Sequence, residues 1–268
     1  GTGTQIASIV HRGFAYAVDD IAVLAAGEDP MLHIRNQLAD AINKLNSTRL
    51  FEQLTGLFHT ALNGHRLEKQ LGGSGSTAEA NYLTAATVAE ARSKLGERGE
   101  EMDLLIVHPS VAYYLYQVGL LTFSTSALAA SGAVTWGGGG VGVGAREVGE
   151  FAGCRVIVDS QVNINDPTTT GNRQEFRCYM MKSGTILEGV QQDLRIEADR
   201  NVLSKQDVLS VDYHSAYHVM GTKWGSASDN PTNANLRTGS NWSATYDIDL
   251  IPMVEIFVNT PLDNGLKS

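Results

Sequence analysis

The sequence has few cysteines and no long hydrophobic run, and each deficit excludes a class of protein. Its 268 residues include only Cys154 and Cys178, whose separation fits neither a zinc knuckle nor a redox pair. Both lie in apolar, strand-like segments, so we predict two reduced residues of the core. No apolar run reaches the roughly 20 residues that a membrane-spanning helix needs, and no signal peptide or targeting tail is evident. We therefore expect a chain that is made and kept in a cytoplasm, with no membrane partner.

Positive charge is also scarce. The chain has 20 Lys and Arg against 29 Asp and Glu, which gives a formal net charge of −9. Sequence-independent affinity for DNA comes mainly from cations that neutralise phosphates, so this balance argues against a dedicated nucleic-acid binder. A surface that merely encloses DNA is still allowed. The hydrophobic fraction of 43% is enough for a real core, in one large domain or two small ones.

A long amphipathic helix is the most informative pattern that is present. Asp29 can cap its first N–H groups, Pro30 suits the first helical position, and Asn63-Gly64 supplies a left-handed stop. Between these ends, apolar residues return to one face at three- and four-residue steps: Ile34, Leu38, Ile42, Leu45, Leu54, Phe58 and Leu62. Such a helix would measure roughly 50 Å. We predict that it crosses the back of an elongated, plate-like molecule.

The remaining pattern is mixed α/β. Residues 5–12 predict a strand whose hairpin partner would precede Gly1, and because no Met begins the sequence we expect an amino terminus that was cleaved, disordered or left out. Thr87 with Glu90 resembles a capping box, and Pro109 resembles a helix start. Further strands are predicted at residues 104–107, 154–160, 175–181, 185–189 and 253–259. Residues 194–220 alternate apolar and polar about a polar turn and predict a long antiparallel hairpin.

A glycine-rich segment, residues 127–144, could bring backbone N–H groups close to a phosphate. A dinucleotide-binding fingerprint needs a buried strand before the glycines and a helix after them, and neither flank has that pattern. We interpret the segment as a loop, with its glycine run at Gly137, Gly138, Gly139 and Gly140.

Two other groups of residues favour a structural interpretation over a catalytic one. Asp212, His214 and His218 share one face of a strand and could bind a metal, but no further ligand is marked, so outward-facing polar residues are favoured. His108 and Ser110 could be a base and a nucleophile, but Pro109 between them indicates the start of a helix. We predict no catalytic residue, no cofactor and no metal.

The order of these elements carries a resemblance to a known family. GEDPM opens the long helix, DLLIVHPS forms a strand and a helix, GCRVIVDS forms a strand, and LRIEADR and GTKW belong to the long hairpin. Together they resemble the major capsid protein of tailed bacteriophages, which has the Hong Kong ninety-seven type capsid fold. The resemblance implies an α+β fold with a long spine helix, a peripheral domain, an axial domain and an extended loop.

The resemblance also implies a division of the chain. It places the extended-loop return strand and the approach to the spine helix in residues 1–27, the spine helix of the peripheral domain in 28–77, and the axial domain in 78–189. The long hairpin of the peripheral domain takes residues 190–225, and a polar loop with a final axial strand takes 226–268. The glycine-rich loop would lie near a five- or six-fold axis. No lysine precedes Lys44, so this part of the extended loop has none to offer for the covalent cross-links that some members form.

The implied function is that of a major capsid protein of a tailed double-stranded DNA phage. Its copies would assemble as pentamers and hexamers into an icosahedral shell around the genome. Scaffold, portal and decoration proteins are possible further partners, with non-specific contact to packaged DNA. Two alternatives stay open at this point: an encapsulin-like nanocompartment, and a soluble nucleotide-dependent enzyme that uses the glycine-rich loop.

Contact residues are chosen by position alone. Four residues at the ends of extended elements are predicted to touch neighbouring subunits: Arg12, Glu28, Arg200 and Trp224. Four cations along or just after the long helix would either screen packaged DNA weakly or serve as ordinary solubilising charge: Lys44, Arg49, Arg66 and Lys69.

Overall fold

The computed structural model describes residues 3–21, 27, 30–69, 81–121, 146–165 and 175–261. Glu28, the glycine run Gly137 to Gly140 and the predicted boundary between residues 77 and 78 lie outside these ranges. In the described part, no helix is both long enough and apolar enough to span a membrane.

Helix α1 is a single helix of 30 residues, Pro30–His59, which confirms the predicted long helix and its start. Its length is roughly 45 Å. The first half buries only one side, through residues such as Leu38 and Ile42, whereas most of the second half is buried. The predicted end at Gly64 is wrong by five residues. The amide of Leu62 donates to the carbonyl of Leu57 at 2.9 Å, which closes the helix early, and a 3-10 helix follows at Asn63–His65.

A seven-stranded mixed sheet holds the main core. Its strands are β2 (Arg66–Glu68), β3 (Leu104–Val107), β4 (Arg146–Phe151), β5 (Cys154–Val158), β6 (Ile164–Asn165), β7 (Glu175–Met181) and β12 (Met253–Val258). They lie in the order β2-β12-β7-β3-β5-β4, and β6 pairs with β7. The strands predicted within 104–107, 154–160, 175–181 and 253–259 are confirmed.

Both faces of this sheet are covered, because its strands are apolar on both sides. One face packs against helices α2 (Ala85–Ser93) and α3 (Pro109–Gln117), and the other packs against the second half of α1. Cys154 and Cys178 are free and fully buried in this core, as predicted, and burial raises the pKa of the Cys178 thiol.

Two helix starts test the sequence signals. His108 caps α3 through its ring Nδ1, which accepts from the Ser110 amide at 3.2 Å, so the helix-start interpretation is confirmed. The capping box at Thr87 is misplaced, because the N-cap of α2 is Thr84, whose hydroxyl accepts from the Thr87 amide at 3.3 Å. The Thr87 hydroxyl instead donates to the Tyr82 carbonyl at 3.1 Å.

A three-stranded antiparallel sheet of β1 (Val10–Asp19), β8 (Ile186–Asn201) and β9 (Gln206–Val219) forms the second layer, in the order β1-β9-β8. Strands β8 and β9 confirm the long hairpin. The segment 185–189, predicted as a separate strand, is continuous with β8, which therefore crosses the predicted boundary between residues 189 and 190. Strand β1 is Val10–Asp19 rather than 5–12, and it pairs with β9, which follows it in the chain.

A small unit lies between β9 and β12, where the sequence predicted a polar loop from residue 226, and it also includes residues 222–224, which were wrongly predicted to belong to the long hairpin. It contains β10 (Thr222–Trp224), α4 (Asn233–Arg237) and β11 (Trp242–Ala244). Helix α4 crosses α1 closely at Gly56, and Trp242 donates its ring N–H to the Leu236 carbonyl at 2.8 Å. Short polar helices of this kind give no periodic apolar signal, which explains the omission.

Candidate assembly surface

The first half of α1 lies across one face of the three-stranded sheet. Met31, Leu38 and Ile42 pack there on three buried residues of β9, which are Leu209, Val211 and Tyr213. Three residues of β1 flank this cluster: Phe14, Tyr16 and Val18. Within the described residues the cluster contains no residue of β8, so α1 covers two strands of the sheet and leaves the third uncovered.

Strand β8 is exposed along nearly all of its length. Residues that pair directly in an antiparallel ladder lie on the same face. Ile196 pairs with Val211, yet Ile196 is 52% exposed and Val211 is 0% exposed. Val190 and Leu194 are exposed apolar residues of the same strand. We call the exposed strand β8, Ile186–Asn201, the candidate assembly surface.

This surface is also a sheet edge. In the described part of the chain β8 pairs only with β9, so its outer N–H and C=O groups face outward. Such edges are templates for pairing with another chain. Two register irregularities, between Val190 and Gln192 and between Gln192 and Arg195, interrupt the middle of the strand and leave two regular arms.

Arg200 links all three strands of the three-stranded sheet at its free end. Its Nη2 lies 2.7 Å from Asp20 Oδ2 and its Nη1 lies 3.1 Å from Asp207 Oδ1. Hydrogen bonding and charge from Asp20, followed by Asp207, raise the pKa of Arg200. At the turn that follows, Leu203 is 99% exposed, and its amide donates to Asn201 Oδ1 at 3.2 Å. The predicted contact of Arg200 with a neighbouring subunit stays a prediction.

Arg12 is half-buried and binds the segment that precedes α4. Its guanidinium donates to Asn230 Oδ1 at 3.3 Å, to the Pro231 carbonyl at 3.2 Å and to Asn233 Oδ1 at 3.4 Å. Burial, and then the charge of Arg49, lower the pKa of Arg12. These contacts attach β1 to α4 within one chain, and a contact of Arg12 with a second chain stays a prediction.

Trp224 is buried in its own chain. Its ring meets that of Trp242 edge to face, with 4.7 Å between centroids and 65° between planes. Its backbone amide donates to the Ile6 carbonyl at 2.9 Å, which holds the segment before β1. Its predicted role between subunits is not tested by these contacts, and neither is that of Glu28, which lies outside the described residues.

Arg49 is not a surface cation, and its predicted place among the DNA-screening or solubilising charges is wrong. It is 3% exposed and donates to the carbonyl and the hydroxyl of Ser215 at 3.3 and 2.8 Å. Its guanidinium lies over the Tyr217 ring, 4.4 Å from the centroid. Lys69 pairs with Glu90, whereas Lys44 is exposed on α1.

The polar face of β9 carries Asp212, His214 and His218, whose spacing along one strand face could suit a metal. His214 stacks on His11 of β1, with ring centroids 4.0 Å apart and planes at 11°. His218 Nε2 lies 2.8 Å from Gln5 Oε1, and burial lowers the pKa of His218. The opposite face is buried, as predicted. Among the described residues, no group of three or more His, Cys, Asp and Glu could hold a metal ion.

A buried charge cluster joins β2, β7 and β12 and was missed in the sequence. Glu255 is 0% exposed and accepts from Arg177 Nη1 at 2.9 Å and from Arg66 Nε at 3.1 Å. Both guanidinium groups lie 4.9 Å from the centroid of Phe257. Burial raises the pKa of Glu255, and the two arginines oppose that shift. Arg66, predicted as a helix-associated surface cation, is thus largely committed to this cluster.

Comparisons with known proteins agree on one kind of protein. A family model described as phage capsid protein matches residues 2–232. The major capsid protein of Bacillus phage SPP1 is 26% identical over 258 residues, which cover 94% of this chain and 72% of that protein. The capsid of Ralstonia phage GP4 has a TM-score of 0.61 at 10% identity, over 94% of this chain and 73% of that one.

A second solved structure agrees with these matches. The acidic stable capsid of Helicobacter pylori bacteriophage KHP30 has a TM-score of 0.56 at 11% identity, over 96% of this chain and 76% of that one. The two structural likenesses confirm the predicted α+β fold of Hong Kong ninety-seven type.

Proposed function

The chain belongs to the phage capsid protein family and is a major capsid protein of the tailed-phage type, and from this premise we propose that its copies assemble as pentamers and hexamers into an icosahedral shell around a double-stranded DNA genome. The role is structural rather than catalytic. The family supports self-assembly, and the molecular observation that supports it best is strand β8, which is uncovered by α1 and is exposed along its edge.

We assign the domains of the fold on the same basis. The three-stranded sheet with the first half of α1 would be the peripheral domain, and the seven-stranded sheet with α2 and α3 would be the axial domain. Strand β1 would return from the extended loop. Because β8 is unbroken from Ile186, the hairpin of the peripheral domain would begin there rather than at residue 190.

Other partners are proposals that follow from the same role. Scaffold, portal and decoration proteins would meet the shell in the bacterial cytoplasm, where it assembles. Contact with packaged DNA would be weak and non-specific, because Arg49, Arg66 and Lys69 are engaged inside the chain and the total charge is −9.

Electron microscopy of the purified protein tests the proposal directly. The chain would be expressed alone and with candidate scaffold proteins, and the products would be examined in negative stain. Closed shells of uniform size are the expected result, and their lattice would give the numbers of pentamers and hexamers. A monodisperse monomer under every condition would contradict the proposed assembly role.

A further inference from the structure

Strand β8 has a charge pattern that complements itself. If a second copy of β8 lies antiparallel beside the first, with Leu194 opposite its own copy, Asp193 faces Arg195 and Glu188 faces Arg200. No two residues of like charge face each other in this register. Among the antiparallel registers of β8 on itself, it is the one that joins two different opposite-charge pairs and no like-charge pair. Opposite charges directly across a strand pair are stabilising, and like charges are destabilising.

The same register also overlaps nearly the whole strand, and its two-fold axis lies beside the irregular middle. The two interruptions of the β8 ladder lie between Val190 and Arg195, close to Leu194. Residues 187–190 of the regular arm before them would face residues 198–201 of the regular arm after them, which places Val190 opposite Ala198. Val190 pairs with Ser215 and Ala198 pairs with Leu209, so both side chains lie on the α1 side of the sheet. Val190 and Ala198 would therefore lie side by side on the same face of the joined sheet, and both belong to uninterrupted parts of the β8–β9 ladder.

We propose that two copies of the chain meet edge to edge through β8, antiparallel, about a two-fold axis at Leu194. This inference rests on the proposed assembly role and names one contact within it. A contact of this kind is isologous, since each residue and its partner exchange places between the copies. The exposed side chains of Val190, Leu194 and Ile196, which α1 of the same chain leaves uncovered, would gain cross-strand neighbours from the partner.

The size of the contact explains why it would be weak on its own. Sixteen residues of strand measure roughly 50 Å at about 3.3 Å per residue. A strip of that length and about 10 Å width gives roughly 500 Å² per copy, below the roughly 800 Å² per partner of a standard stable interface. Repetition around a closed shell would make up the difference. An isolated pair of chains is therefore expected to dissociate readily.

Paired cysteines provide the sharpest test. Val190→Cys and Ala198→Cys would be made as two single variants and assembled separately and as a mixture, then oxidised gently. The native Cys154 and Cys178 are fully buried and do not compete. The expected result is a covalent dimer in the mixture and little dimer in either variant alone. As a matched control, Val190→Cys mixed with Leu203→Cys should give no dimer, although Leu203 is more exposed.

Charge exchange gives an independent readout. Asp193→Arg and Arg195→Asp should each lower the yield of assembled particles at least tenfold at low salt, and the double exchange D193R/R195D should restore it. Suppose that the parent protein forms shells, but the cysteine mixture gives no 190–198 dimer or the double exchange does not restore assembly. Either result would overturn this inference and leave the assembly role intact. If the parent forms no shells, the assembly role fails, and the same cross-linking at high protein concentration decides whether the β8 pair forms in solution.

Discussion

Arg200 and Asp20 join the two outer strands of the three-stranded sheet across the central one. The Nη2 atom of Arg200, on β8, lies 2.7 Å from Oδ2 of Asp20, directly after β1, while its Nη1 reaches Asp207 on β9. All three side chains are between 41% and 54% exposed. The cluster therefore fixes the free end of the sheet in water, where exposed ion pairs contribute little to global stability.

Arg200→Ala should leave the global unfolding temperature nearly unchanged but loosen this end of the sheet. The expected signature is faster amide exchange at the ends of β1 and β8, with no change in β12. The effect should also shrink at high salt, because exposed charges are screened. Hydrogen exchange by mass spectrometry measures it, with Arg195→Ala as the control for loss of an exposed arginine. A uniform rise in exchange throughout the chain would contradict a local role.

Glu255→Ala should destabilise the chain by about 3–5 kcal/mol, because removing one partner leaves a buried charge uncompensated. Arg177 would then remain buried on β7 without its carboxylate. Denaturant unfolding measures the change. Glu68→Ala is the matched control, since Glu68 pairs with the same Arg66 but is exposed, and its loss should cost less than about 1 kcal/mol. Similar losses for the two variants would contradict the importance of burial.

Gly56→Ala should destabilise the chain even though alanine favours helices. A Cβ at Gly56 would meet the Leu236 carbonyl oxygen and would lie 2.9 Å from Trp242 Nε1. Forcing atoms into a packed contact of this kind typically costs about 1–3 kcal/mol. Gly189→Ala is the control, because a Cβ at Gly189 would have nothing within 4 Å. An increase in the free energy of unfolding for Gly56→Ala would contradict the close packing of α4 against α1 at this position.

His218 should make the chain lose stability as the pH falls. Its pKa lies below the ordinary value of 6.5 because burial disfavours the charged ring. The unfolded chain then binds a proton more readily than the folded one, so the stability present above pH 6.5 decreases as the pH falls from there through the folded pKa. His218→Gln should lose less stability between pH 7.5 and pH 5.5 than the parent. Urea unfolding at both values tests this, with His33→Gln as an exposed control; identical pH dependence of the parent and His218→Gln would disprove it.

Local signals in the sequence predicted the regular elements well. Pro30 marked the start of α1, and the apolar alternation of residues 194–220 predicted the hairpin, because both patterns depend on neighbouring residues. Strand β1 was misplaced since its partly buried residues, Phe14, Tyr16 and Val18, alternate with Ala15 and Ala17, which are also apolar. A pattern of period two is hidden when both faces consist of apolar residues.

Long-range pairings could not be predicted from the sequence. Arg49 reads as one more cation on a helix until the fold brings it to Ser215, 166 residues away. Glu255 likewise stands in an apolar strand, and its first partner, Arg177, is 78 residues away. The uncovered edge of β8 depends on which strands α1 covers, and that is a property of tertiary packing alone.

The hairpin of β8 and β9 has the mechanical form of a lever fixed at one end. Ile186 and Val219 pair at its base and pack into the core of the seven-stranded sheet, while Asn201 stands at the far end, roughly 50 Å away at about 3.3 Å per residue. Over that length, a rotation of about 5° at the base displaces the far end by roughly 4 Å. Small adjustments beside the rigid core are thus amplified at the outer end of the sheet, where Arg200 holds the three strands together as one body.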